Sequence, residues 1–127
     1  MATFEGRFHK TYIAGSAVSQ FRFVDLAADG EVDHSGDGAK AVGVTLMAAD
    51  PSDADRPATA VTVAYGGKVL VEVGTGGLTA GDAVGSDSVG KAVTAASTDI
   101  ILGYAREDAS AGEFASVDFF LGGNAAA

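Results

Sequence analysis

In Val61-Thr62-Val63-Ala64-Tyr65-Gly66-Gly67-Lys68-Val69-Leu70-Val71-Glu72-Val73-Gly74-Thr75-Gly76-Gly77, apolar residues occupy every second position on both sides of a Gly-Gly pair. Successive side chains of an extended chain point to opposite faces, so Val61, Val63 and Tyr65, and then Val69, Val71 and Val73, each form a row on one face. Valine, stiff at its branched Cβ, suits that geometry, and glycine supplies the backbone freedom for the turns. The segment therefore predicts two short strands joined by a tight turn.

The same pattern extends in both directions. Val42, Val44 and Leu46 alternate with Gly43 and Thr45, Ile100, Leu102 and Tyr104 with Ile101 and Gly103, and Val117, Phe119 and Leu121 with Asp118, Phe120 and Gly122; Phe21 to Ala27 makes a further strand. Turn signals separate the runs: Ala28-Asp29-Gly30, Ser35-Gly36-Asp37-Gly38, Ala80-Gly81-Asp82 and Ser88-Val89-Gly90. Ser97 to Asp108 offers a helix N-cap in Ser97, but Gly103 and the alternation around it predict strand. Short strands with frequent turns define an all-β chain, a small Gly-rich β-barrel or β-sandwich. No internal repeat of solenoid length is visible.

The chain has 127 residues, the size of one domain with one core, and 18 of them are Gly against 2 Pro. Lys and Arg number 8 against 17 Asp and Glu, a net charge of −9, which excludes nucleic-acid binding as the main role. No apolar run approaches the roughly 20 residues that cross a bilayer, so no membrane partner is expected. With no Cys there are no disulfides and no thiolate chemistry. Met1 to Lys10 interleaves charge with Phe and does not read as a secretory signal.

Charge is unevenly placed. Residues 1–24 carry Arg7, Lys10 and Arg22 against Glu5, a balance of +2, while the remainder carries −11. This predicts an extended N-terminal arm, residues 1–20, on an acidic β-domain, residues 21–122, with a fraying tail at 123–127. Phe4, Arg7, Phe8, Lys10 and Tyr12 combine aromatic and cationic side chains, which suits docking onto an acidic protein surface. The alternative is that Phe4, Phe8 and Tyr12 pack as an edge element on the body's own core.

Several motifs resemble catalytic or ligand sites and read better as structure. Gly85-Ser86-Asp87-Ser88-Val89-Gly90-Lys91 fits the first seven places of a P-loop, but Ala92 stands where the magnesium-binding hydroxyl belongs and a strand follows instead of a helix. Asp50, Asp53 and Asp55 could offer oxygens to calcium, without EF-hand spacing. Asp33, His34 and Asp37 form a polar cluster, yet two His and no Cys do not make a structural zinc site. No Gly-x-Ser-x-Gly elbow is present, and Glu107-Asp108 has a turn context. No catalytic residue, metal or cofactor is expected.

The order of these pieces resembles the head decoration, or capsid cement, proteins of tailed bacteriophages. The likeness rests on Phe21-Arg22-Phe23-Val24-Asp25-Leu26, Ala41-Val42-Gly43-Val44, Val61 to Gly67, Leu78-Thr79-Ala80-Gly81-Asp82-Ala83-Val84, Ile101-Leu102-Gly103-Tyr104-Ala105, and Ala111-Gly112 before Val117 to Leu121. It spans about residues 20–122. The Asp50 to Pro57 loop looks longer than the family's usual turn, and the N-terminal segment aligns with no family motif. The resemblance implies a non-enzymatic virion protein made in the host bacterial cytoplasm. Such a protein sits on the outer surface of the capsid, binds the major capsid protein, and groups as homotrimers at threefold or quasi-threefold positions. A biotinyl- or lipoyl-type carrier modified on Lys91 is the alternative, for which Gly90-Lys91-Ala92 is a faint match.

Overall fold

The computed structural model describes residues 9–52 and 59–119. Within them lie ten strands and no helix: β1 (His9–Ala14), β2 (Phe23–Ala28), β3 (Glu31–His34), β4 (Gly43–Thr45), β5 (Ala60–Ala64), β6 (Gly67–Glu72), β7 (Ala83–Ser86), β8 (Ala92–Thr94), β9 (Gly103–Ala105) and β10 (Phe114–Phe119). The first five close a barrel in the order β1-β3-β2-β4-β5. The last five form a sheet in the order β6-β10-β9-β7-β8, whose two edges meet at a parallel bridge between Val73 and Ala92. The all-β reading holds.

Contrary to the expectation of no repeat, the second half retraces the first. Phe23 opposite Val44 and Val24 opposite Gly43 reappear as Ala83 opposite Tyr104 and Val84 opposite Gly103. Val24 opposite His34 returns as Val84 opposite Thr94, and Thr45 opposite Val63 as Ala105 opposite Val117. Tyr12 opposite Val61 matches Val71 opposite Ala115. The isolated bridge Val18–Ala49 has its twin in Leu78–Ala109, and the parallel pair Ala14–Val32 its twin in Val73–Ala92. Connectivity, strand direction and register all agree, so the chain is two copies of one five-stranded unit in tandem. Few side chains are shared between the copies, which hides the repeat from the sequence.

Each unit has an interior, and the two interiors are not equal. That of the first comprises Ala14, Val18, Val24, Val32, Ala49, Val61 and Val63. Their counterparts Val73, Leu78, Val84, Ala92, Ala115 and Val117 fill the second unit, but this cluster also takes in Phe23, Ala41, Val44 and Ala64 from the outer side of the first barrel. Phe23 reaches Phe119, with ring centroids 6.0 Å apart. The chain between β1 and β2 enters the gap between β6 and β8: Glu72 N donates to Phe21 O at 2.9 Å, and Phe23 N donates to Gly90 O at 2.8 Å. In the first unit the matching gap is shut by Ile13 N donating to Gly30 O at 2.8 Å. One side of the first unit is therefore a plug for one end of the second.

The predicted arm is corrected at its C-terminal part. His9–Ala14 is not an extension but a barrel strand, antiparallel to β5 from His9–Ala64 to Ile13–Ala60. Only Ala14 on it is buried and Tyr12 half-buried, and its register places Lys10 and Tyr12 where the second unit has Val69 and Val71. Residues 1–8, the part of the acidic loop at residues 53–58 and the tail lie outside the described residues.

Candidate functional site

Of the five residues singled out for docking, Phe4, Arg7 and Phe8 lie outside the described residues. Lys10 and Tyr12 stand on β1, with Lys10 Nζ 5.2 Å from the Tyr12 ring centroid, a cation over an aromatic face. With Val42 and Tyr65 they line an open depression of about 320 Å3 at one end of the first barrel. Every wall residue has a counterpart in the second unit: Val69, Val71, Leu102 and Phe119. Those four are 6%, 0%, 2% and 3% exposed, because the side of the first unit carrying Phe23 and Val44 covers them. The depression occupies the equivalent place in the first unit.

The covering side also has a counterpart. Phe23, Ala41 and Val44, buried in the internal joint, correspond to Ala83, Ile101 and Tyr104 on the second unit, where Tyr104 is 46% exposed. Nearby on that sheet Phe114 is exposed and meets the Phe21 ring edge-on at 5.5 Å, and Leu70 is also exposed. Around the joint, Arg22 donates to Glu72 Oε1 from Nε and Nη2 at 3.1 Å each and to Val89 O at 3.0 Å, while Lys91 Nζ is 3.5 Å from Glu72 Oε2. Sequence reading missed this cluster; its members are far apart in the chain and carry no motif.

The remaining sequence candidates serve local structure. In the P-loop-like segment, Val89 N and Lys91 N both donate to Asp87 Oδ1 at 2.9 Å, so the amides that a phosphate would need already hold the chain's own carboxylate. Lys91, the last residue of the loop between β7 and β8, has its ammonium 3.5 Å from Glu72 Oε2. Asp50 accepts from Ser52 N at 2.9 Å and Ser52 Oγ at 2.7 Å, which holds its carboxyl below the usual range. Asp53 and Asp55 lie outside the described residues. Glu107 accepts from Ser116 N at 2.8 Å, with the same downward effect, and ties the loop after β9 to β10; Asp108 accepts from Ala80 N at 2.9 Å and ties that loop to the segment before β7.

His34 accepts at Nε2 from Ser19 N, 2.9 Å away. Burial first, and the positive Arg22 second, push its imidazole below the ordinary value, with Asp33 and Asp87 opposing. A neutral imidazole used as an acceptor is a structural strut. Asp33 is engaged separately by Ser16 Oγ at 2.8 Å. Among the described residues no three His, Asp or Glu converge as metal ligands.

These features define a class: an all-β chain of two like five-stranded units, one side of the first packed against the second. Among solved structures the chain is similar to the N base of the head fiber gp8.5 of bacteriophage phi29, with a TM-score of 0.71 and 20% identity over 89% of this chain and 93% of that one. The likeness is one of fold and covers both units. No protein-family model matches the chain, and no curated protein does.

Proposed function

We propose that this chain is a structural protein of a bacteriophage head, seated on the outer surface of the capsid, where it fastens neighbouring major capsid subunits. The observation that carries the reading is the near end-to-end likeness of fold to a head fiber base. Order of sequence signatures points to the same class independently. A net charge of −9 favours a surface that faces water and protein rather than nucleic acid. The role is non-enzymatic and needs no cofactor.

Binding only to the assembled lattice stabilises the lattice by mass action against the pressure of packaged DNA. Copies grouped as trimers about threefold positions multiply weak contacts through effective concentration. Since Lys10 and Tyr12 belong to the barrel mouth, the capsid grip is assigned to Phe4, Arg7 and Phe8 in residues 1–8. The test uses undecorated heads and the purified full chain. Co-sedimentation, together with a higher temperature of DNA release from decorated heads, is expected, and deletion of residues 2–8 should abolish both. No co-sedimentation by the full chain overturns the reading.

A further inference from the structure

We infer that His34 is an acid-sensitive latch on the joint: once its imidazole is protonated, the connection between β1 and β2 lets go and the second unit loosens ahead of the first. The inference goes beyond the capsid role and needs no capsid to test.

Ser19 lies two residues before the segment that inserts between β6 and β8, and side chains hold both of its backbone groups. Its N–H donates to His34 Nε2 at 2.9 Å, and its carbonyl accepts from Thr45 Oγ1 at 2.6 Å. Phe21 then takes up φ 58 and accepts at its carbonyl from Glu72 N, and Phe23 N donates to Gly90 O. Those two bonds carry the backbone of the first unit into the second. His34 thus fixes the chain just ahead of the insertion.

The second copy of the unit solves the same problem differently. By the shared register Ser19 corresponds to Thr79, Arg22 to Asp82 and His34 to Thr94. Asp82 Oδ2 accepts from Thr79 N at 2.9 Å and from Thr94 Oγ1 at 3.2 Å. A carboxyl group retains an acceptor oxygen whether or not it is protonated. In the first unit Arg22 stands at that place and donates across the joint to Glu72 and to Val89 O, so the amide of Ser19 passes to an imidazole. An imidazole accepts only while neutral; as a cation both ring nitrogens donate, and a protonated Nε2 would face the Ser19 N–H. The residue that ties the units together therefore leaves the connection held by a titratable acceptor.

The charged groups around His34 come from three elements. Arg22, on the connection, opposes protonation, as burial does; Asp33, its neighbour on β3, and Asp87, in the loop between β7 and β8, favour it. Proton uptake is resisted on balance while the latch is closed, whereas a released imidazole returns to its ordinary value of about 6.5. By linkage, release grows more favourable as pH falls below that value, approaching about tenfold at pH 5.5.

Amide exchange of the full chain, followed by NMR between pH 7.5 and 5.5 and expressed as protection factors, is the test. Protection at Phe23 and Glu72 should fall toward about tenfold at pH 5.5, while Ile13 and Val42, whose amides are bonded within the first unit, keep theirs. The Ser19 amide resonance should titrate together with the His34 ring. His34→Gln, with an oxygen that accepts without titrating, should keep protection at both pH values, and His34→Ala should show the acid pattern already at pH 7.5. His9→Gln should leave the response intact. Three results would overturn the inference: unchanged protection at Phe23 and Glu72 in the native chain, an equal fall at Ile13 and Val42, or a native response in His34→Gln. The first two require no variant, so a folding defect cannot obscure them.

Discussion

Thr98 holds φ 74 and Phe21 φ 58, left-handed values that β-branched and bulky residues avoid. The repeat explains both. Their counterparts are Gly38 at φ 67 and Gly81 at φ 92, so the turns are inherited from a backbone in which either unit retains the glycine. Phe21 recovers the cost through its contact with Phe114. Thr98 is exposed in a turn closed by Asp99 N donating to Ala96 O and gains nothing comparable. Thr98→Asn should therefore stabilise the fold by roughly 1 kcal/mol, since asparagine tolerates this region, raising the melting temperature by about 4 °C in calorimetry. His34 sets a pH limit. Its folded value lies below the ordinary imidazole value of about 6.5, so above that pH both states are neutral and its contribution is complete. As pH falls through 6.5 the unfolded chain takes up the proton first, and stability declines toward the lower folded value. Urea midpoints between pH 7.5 and 5.5 should fall for the native chain, and the fall should be smaller for His34→Gln.

At the scale of strands, alternation was readable wherever one face is buried and the other wet. β6 shows this, with Val69 and Val71 buried between exposed Lys68 and Leu70, and β10 likewise with Ala115, Val117 and Phe119. Around the joint the rule gives way, because a strand covered on both sides buries consecutive residues. Phe23 and Val24 are both buried, one facing the second unit and one its own barrel, and all of Gly43, Val44 and Thr45 are buried. The sequence marks those positions only as apolar or small. Gly43 and Gly103 occupy the same place in the two units, and a Cβ there would collide with the backbone oxygens of Ala64 and Asp118. The glycine of each Gly-Val or Gly-Tyr pair was thus legible as a motif, while its reason, close approach of two strands, was not. β1 was misread because its mouth positions carry Lys10 and Tyr12. Ion pairs divide by the same geometry. Glu72 bridges Arg22 and Lys91 with its side chain only 21% exposed, whereas Arg106 and Asp118 are about half exposed. Glu72→Ala should cost about 2 kcal/mol in chemical denaturation, as expected for charge-assisted bonds at a joint, and Asp118→Ala less than about 0.5.

For the molecule as a whole, the consequence of one unit plugging the other is unequal dependence. The first barrel closes its own sheet and fills it with its own residues, so nothing in its interior is borrowed. The second keeps its edges together at a single bridge, admits the Phe21–Phe23 backbone between them, and shares its core with Phe23, Val44 and Ala64. Loss of the joint should therefore unfold the second unit first. The native chain should melt in one transition, with calorimetric and van't Hoff enthalpies equal, because the shared core couples the two. Phe23→Ala should remove about 3 to 4 kcal/mol, the usual loss for a buried phenylalanine, and do so asymmetrically. In native-state hydrogen exchange the amide of Leu102, which donates to Val84 O, should lose protection well before that of Val42, which donates to Val24 O in matching register. Equal loss in both units would mean that the first barrel leans on the joint as heavily as the second, and that the plug-and-mouth relation is not what holds the pair together.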